Sequence, residues 1–171
     1  MKKLFMVTLG GKTSTSNIEV HDLQFIIAKD IEETYEILKQ NWYGIDLKLH
    51  IDAYKWIEGA DEHEVRITEP TSDITLDKKL YFINIGGYDD SLMNELHRYV
   101  LLVCKDFNEA KARAKKKFFN GLKQPHIDNL LCVDSSKLLN KIYSGKIELI
   151  PSETEYTLTP DWKGYRRIDI Q

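Results

Sequence analysis

No stretch of this 171-residue chain approaches the eighteen or so consecutive apolar residues that a membrane-spanning helix needs, so no membrane association is expected. Cysteine is scarce. Cys104 and Cys132 both sit inside apolar runs and read as buried free thiols, which suits a reducing cytoplasm. Proline and glycine number only 4 and 9, and with 42% hydrophobic and 30% charged residues this excludes collagen-like and disordered classes. A surplus of positive charge is also lacking. The net charge of -3 removes the whole-domain basic field of a nonspecific nucleic-acid or membrane-surface binder, and no nucleic-acid partner is expected. The opening Met1-Lys2-Lys3 before Leu4-Phe5-Met6-Val7 imitates a signal peptide, but the apolar stretch is short and no A-x-A site follows.

What the chain does contain is a repeat. Leu4 to Ile57 aligns without a gap on Leu80 to Val133, giving twelve identical pairs in 54 columns. The pairs are Leu4/Leu80, Gly10/Gly86, Gly11/Gly87, Glu19/Glu95, His21/His97, Lys29/Lys105, Asp30/Asp106, Glu33/Glu109, Lys39/Lys115, His50/His126, Ile51/Ile127 and Asp52/Asp128. Both histidines of one window would fall on both of the other by chance about once in 1,400 cases, so they are a property of the unit. His63 alone stands outside this scheme.

Each copy opens with a short apolar run, Lys3 to Leu9 or Lys79 to Ile85, that reads as a strand entering a turn at Gly-Gly. A second apolar run, Leu23 to Ala28 or Tyr99 to Cys104, reads as a well-buried strand. Asp30 with Glu33, and Asp106 with Glu109, have capping-box spacing and predict helix starts. The 3.6-residue period follows through Ile31, Leu38 and Trp42 and through Phe107, Ala110, Ala114 and Phe118, with Gly44 and Gly121 as stops. Third strands are expected at Leu47 to Ile57 and His126 to Val133, and fourth strands at Glu64 to Thr68 and Lys146 to Ile150. Gly59 to His63 reads as a hairpin turn and Ser135 to Ser144 as a short extra helix. The expected fold is α+β, two tandem β-β-α-β-β repeats related by a pseudo-twofold axis. Residues 1–70 form the first unit, 71–78 a linker, 79–155 the second unit and 156–171 a tail packed on the repeats.

Helix capping accounts for Asp30, Glu33, Asp106 and Glu109. The pairs it leaves are Gly10, Gly11, Glu19, His21, His50 and Asp52, and in the second copy Gly86, Gly87, Glu95, His97, His126 and Asp128. Residues i and i+2 of an extended chain face one side, so Glu19 with His21 and His50 with Asp52 each present two polar groups together. Neighbouring second and third strands would bring the pairs together beside the glycines. Three readings compete: an internal hydrogen-bond network, a small-anion site built on free Gly-Gly amides, and a metal or acid/base site. No ligand set is assigned to a metal at this level, and no cofactor is identified. A binding module for a small-molecule anion or a protein partner leads, with a metal-dependent or acid/base hydrolase or oxidoreductase as the alternative and a monomer or homodimer as the assembly.

Lys111, Arg113, Lys115, Lys116 and Lys117 give the second helix a cationic end that complements its dipole, without interleaved stacking aromatics. Trp42, Trp56, Phe118 and Phe119 fall on apolar faces and read as core. Trp162, near Gly164-Tyr165-Arg166-Arg167, either anchors the tail or marks a contact surface.

The run from Leu4 through Gly10-Gly11, Ile18-Glu19-Val20-His21-Asp22, Glu32-Glu33-Thr34, Trp42-Tyr43-Gly44 and Leu49-His50-Ile51-Asp52 resembles a bacterial domain-of-unknown-function family, number 1543. That resemblance covers residues 1–70 and, more loosely, 79–134. It implies a bacterial cytoplasmic protein carrying one or two copies of the domain, and it brings no established activity. The second copy departs from the pattern at Phe118-Phe119-Asn120-Gly121 and at Arg98, which stands where the first copy has Asp22.

Overall fold

The computed structural model describes residues 1–69, 77–135 and 139–170. In chain order these form β1 (Lys3–Lys12), β2 (Val20–Ala28), a 3-10 turn (Glu32–Thr34) running into α1 (Tyr35–Asn41), β3 (Ile45–Trp56), β4 (Gly59–Ala60) and β5 (His63–Thr68). The second half gives β6 (Lys79–Tyr88), β7 (Leu96–Cys104), α2 (Phe107–Phe118), β8 (Lys123–Cys132), β9 (Leu139–Lys141), β10 (Lys146–Pro151) and β11 (Trp162–Arg167). The result is an α+β mix with far more strand than helix.

Both helical segments begin as the capping pattern requires. The Glu33 amide donates to Asp30 Oδ1 at 3.0 Å while Glu33 Oε2 accepts from the Lys29 amide at 2.9 Å. The second half repeats this at 2.9 Å in both directions, with Glu109, Asp106 and Lys105. Each pair satisfies amides that a helix start leaves without partners.

Three features differ from the sequence expectations. The Gly-Gly pairs do not end their strands: β1 runs through Gly10-Gly11 to Lys12 and β6 through Gly86-Gly87 to Tyr88. Neither pair has positive φ, so no anion nest forms there. The second and third strands are not neighbours. They flank the first strand on opposite sides, in the orders β3-β1-β2 and β8-β6-β7. In the segment Ser135 to Ser144, described at 135 and 139–144, Leu139–Lys141 form a strand rather than helix; β9 pairs parallel with β2 because its extended backbone completes that open edge. The expected linker 71–78 lies outside the described residues apart from its end.

Period-2 alternation distributes β1 between two cores. Phe5, Val7 and Leu9 pack with Leu38, Trp42 and Ile51 under α1. Leu4 and Met6 face the other way, into a core shared with Leu80, Phe82, Leu101 and Val103 of the second half, where Phe25 meets Phe82 edge to face at 5.5 Å. The two halves are therefore joined by apolar burial, the dominant favourable term in folding. They are also laced by strands. β5 pairs antiparallel with β10, the first residue of each opposite the last of the other, as exchange about a twofold axis requires. The turn between β4 and β5, with Asp61 at φ 50 and Glu62 at φ 61, carries Asp61 across to accept from the Val103 amide at 3.0 Å and Arg113 at 2.6 Å. The tail supplies β11, which adds to the outer edge of β3.

Candidate metal centres

The face of β1 that carries Leu4, Met6 and Thr8 continues to Gly10, whose register partners are His21 on β2 and His50 on β3. Gly86 likewise lies between His97 and His126. Glycine is required at both positions because the side chains from either flank close over it. A Cβ on Gly10 would stand 2.5 Å from His50 Nε2 and 3.0 Å from Asp52 Oδ2, and one on Gly86 would stand 2.7 Å from Asp128, Glu95 and His126 alike. Gly11 and Gly87 turn to the helix side, against Trp42 and Leu122, and take no part.

A bulge aims the aspartates. The register of β1 on β3 passes from Thr8 opposite Ala53 to Leu9 opposite Ile51, leaving Asp52 as the extra residue. The same shift leaves Asp128 extra on β8. In the first site, His21 Nε2 lies 3.3 Å from Glu19 and 3.5 Å from Asp52, and His50 Nε2 lies 3.6 Å from Glu19 and 3.2 Å from Asp52. In the second site, His126 Nε2 lies 2.8 Å from Glu95 and 3.0 Å from Asp128, while His97 is 3.7 Å from Glu95 and approaches Asp128 at 3.2 Å through Nδ1. Thus Glu19, His21, His50 and Asp52 come together, as do Glu95, His97, His126 and Asp128.

The protonation pattern follows from the backbone. His50 Nδ1 lies 2.7 Å from the Lys48 carbonyl oxygen and His126 Nδ1 lies 2.9 Å from that of Gln124. A carbonyl can only accept, so each ring carries a proton on Nδ1 and turns its Nε2 toward two carboxylates. His50 is 1% exposed, and its Nε2 has no hydrogen-bond partner among the described residues. Glu95 Oε1 is also buried and without one, since its contact with His126 lacks hydrogen-bond geometry. Acceptors turned toward acceptors are satisfied by a second imidazole proton or by a cation. Lys48 and Gln124 hold these carbonyls at φ 64 and φ 46, left-handed backbone that non-glycine residues seldom adopt. The tail secures the first of them: Asp169 accepts from the Lys48 amide at 2.9 Å and from Arg167 at 2.6 Å, which lowers its carboxyl to about 2.

Other shifts follow from these surroundings. Burial raises the Asp52 carboxyl, against the lowering effect of His50 and His21. The Gln124 carbonyl raises His126, with Asp128 and Glu95 adding to it. Sequence reasoning missed the carbonyl supports, since Lys48 and Gln124 are not identical, and it missed the aromatic covers. Tyr165 of β11 lies over His50 with ring centroids 3.9 Å apart, whereas Tyr88 of β6 sits 6.0 Å from His126. Cys104 is buried but Cys132 only half-buried, both free. His63 bonds the Asp61 carbonyl at 2.8 Å in its own hairpin.

A family model for a domain of unknown function, DUF1543, matches residues 16–67 and 92–139, two segments that each contain one complete cluster. The chain belongs to this family. Among solved structures it is similar to a crystal structure of a protein Il1583 from Idiomarina loihiensis, at 28% identity and a TM-score of 0.76, with 98% of each chain covered. No curated protein matches the chain. No helix among the described residues is long and apolar enough to cross a membrane.

Proposed function

We propose that this family member is a metal-binding module, with one divalent transition-metal site in each of two units, 1–70 and 79–155, joined by 71–78 and followed by the tail 156–171. The observation that carries this reading is the buried, unpartnered Nε2 of His50 aimed at Glu19 and Asp52, in a cluster whose N–O separations run from 3.2 to 3.6 Å. Ligands placed at about 2.0–2.2 Å around a tetrahedral ion stand roughly 3.4 Å apart, which is that spacing. The ligand atoms of Glu19, His50 and Asp52, and of Glu95, His126 and Asp128, lie within 4.8 Å of one another, and an imidazole with two carboxylates, with His21 or His97 alongside, favours zinc, iron(II) or nickel over calcium. The Nδ1 contacts to Lys48 and Gln124 are the outer hydrogen bonds that orient a metal-ligating histidine. The free thiols suit a reducing cytoplasm.

Metal-dependent hydrolysis or redox chemistry is the second reading. It is favoured by the exposure of His21 and Glu19, 59% and 43%, which leaves a side of the first site open to an exogenous ligand.

Calorimetric titration of chelator-treated protein with zinc and then iron(II) tests the proposal. Two equivalents should bind, falling to one in Asp52→Asn or His126→Ala and to none in the double variant. At 100 times the dissociation constant, binding contributes about 2.7 kcal/mol, or roughly 5 to 10 °C in Tm. Absence of saturable binding by the wild-type chain would refute the metal reading and return the clusters to architecture or to an organic ligand.

A further inference from the structure

The edges of the two main sheets are treated unequally. β3 is covered on its outer side by β11, whereas β8, its counterpart, ends the order β7-β6-β8 and among the described residues pairs with β6 alone. On β3 the added strand uses the groups that face outward: the Asp161 amide donates to the Tyr54 carbonyl at 3.0 Å, the Trp56 amide donates to Asp161 at 2.7 Å, and the Ile168 amide donates to the Leu49 carbonyl at 3.0 Å. The corresponding positions of β8 are Leu130, Cys132 and Pro125, and no strand among the described residues takes them up. Instead a cleft of about 450 Å³ runs along this edge, between β8 and the side of α2 that carries Lys111 and Lys115, with Phe119 just beyond the helix.

Charge says what kind of strand fits. Over β3, Arg166 of β11 donates to Tyr35 at 3.2 Å, stacks on Trp162 at 4.3 Å and lies 3.7 Å from Glu32, so a basic strand meets an acidic helix start. In the second unit the position of Tyr35 is Lys111 and that of Glu32 is Asn108. Lys115 projects into the same cleft, and among the described residues neither lysine has an ion-pair partner. A residue placed on β8 as Arg166 is placed on β3 would therefore face an ammonium group, which a carboxylate complements and a second cation does not.

We propose that the outer edge of β8 accepts an extended acidic segment of a partner protein, added antiparallel as β11 is added to β3. Main-chain hydrogen bonds to β8 supply the affinity, and Lys111 and Lys115 select the sign of charge. Pro125, which has no amide to offer, and the bulge at Asp128 limit indiscriminate edge pairing and confine the docking register. His126 and Asp128 of the second cluster also line this cleft, so the inference is tested on chelator-treated protein.

The test uses the full chain and a fluorescein-labelled peptide spanning residues 160–170 with Lys163→Glu, Arg166→Glu and Arg167→Glu. This peptide should bind with salt-sensitive micromolar affinity and newly protect β8 amides in hydrogen exchange. Affinity should fall tenfold or more in Lys111→Glu plus Lys115→Glu. The same peptide with its basic residues intact should bind at least tenfold more weakly. No binding, equal binding of the basic peptide, or affinity indifferent to the lysine reversal would each overturn the proposal. A doubled mass in light scattering, with β8 amides already protected in the free chain, would overturn it as well by assigning the edge to a second copy.

Discussion

Gly10→Ala is the substitution whose consequence is most tightly bounded by geometry. The added methyl would lie 2.5 Å from His50 Nε2 and 2.9 Å from Cε1, where ordinary contact begins near 3.4 Å. The imidazole must retreat by about 0.9 Å, yet its Nδ1 is fixed on Lys48 and its face on Tyr165. Overpacking of this kind costs about 1–3 kcal/mol. Alanine recovers about 0.5–1 kcal/mol over glycine inside a strand. The net loss centres on about 1 kcal/mol, or roughly 2 to 5 °C in Tm for a chain of this size. Gly86→Ala meets Asp128, Glu95 and His126 alike at 2.7 Å, but these side chains are 23%, 28% and 42% exposed and can shift toward solvent, so its Tm should move by no more than about 3 °C. Both variants should lose one equivalent of bound metal, because a displaced Nε2 no longer converges with its carboxylates. Differential scanning calorimetry of the chelated proteins and titration with zinc separate these effects. Unchanged Tm and full stoichiometry in Gly10→Ala would refute the packing argument, and equal Tm losses in both would refute the assigned difference in freedom.

Lys48→Gly should stabilise the chelated protein by about 1 kcal/mol, read from urea unfolding, since glycine adopts φ 64 without the strain a Cβ introduces there; destabilisation would show that the Lys48 side chain matters more than its backbone. Asp61→Ala removes the acceptor of the Val103 amide and the partner of Arg113, and should cost on the order of 2 kcal/mol with no change in metal stoichiometry. The raised His126 carries a pH prediction. A folded-state pKa above the unfolded value of about 6.5 adds stability that is present in full below that value and lost as pH rises through the folded one. Subtracting a His126→Asn titration of Tm against pH isolates this contribution, and a difference that grows with rising pH would contradict it. A bound proton also competes with the metal, so the second site should load more poorly as pH falls into this range, seen in zinc titrations of Asp52→Asn.

Much of the unit was legible in the chain because local rules act there without competition. Asp30 with Glu33 and Asp106 with Glu109 cap their helices as spaced, and β1 and β6 are buried on alternating faces by two different cores. The eight paired histidine and carboxylate residues could be singled out because one chain shows them twice. Strand order could not be read, since period-2 patterning fixes which face a residue takes and says nothing about which strand lies beside which. The glycines misled for a related reason: Gly-Gly is most often a turn signal, and only the close approach of His50 and Asp52 to Gly10, and of Glu95, His126 and Asp128 to Gly86, explains it within a strand. The bulges at Asp52 and Asp128 leave no mark in the sequence. The strand β9 lay hidden because its partner β2 belongs to the other half, and a short segment of weak local preference adopts whatever an open edge offers.

The strained pair Lys48 and Gln124 bears most directly on why the clusters exist. The two residues differ in kind, occupy equivalent places two positions before His50 and His126, and are both left-handed. Such backbone costs roughly 1–2 kcal/mol per residue, and the visible return is a carbonyl aimed at Nδ1. A histidine that only fills space gains nothing from this arrangement, and a neutral ring bonding a neighbouring carboxylate would do as well through the Nε2 proton that the other tautomer supplies. Fixing the proton on Nδ1 turns a lone pair toward two carboxylates, which is unfavourable for a neutral ring with no further partner and favourable once a cation stands among them. Strain held at both places therefore argues for sites that keep positive charge between the carboxylates, carried by the imidazolium or by a bound cation.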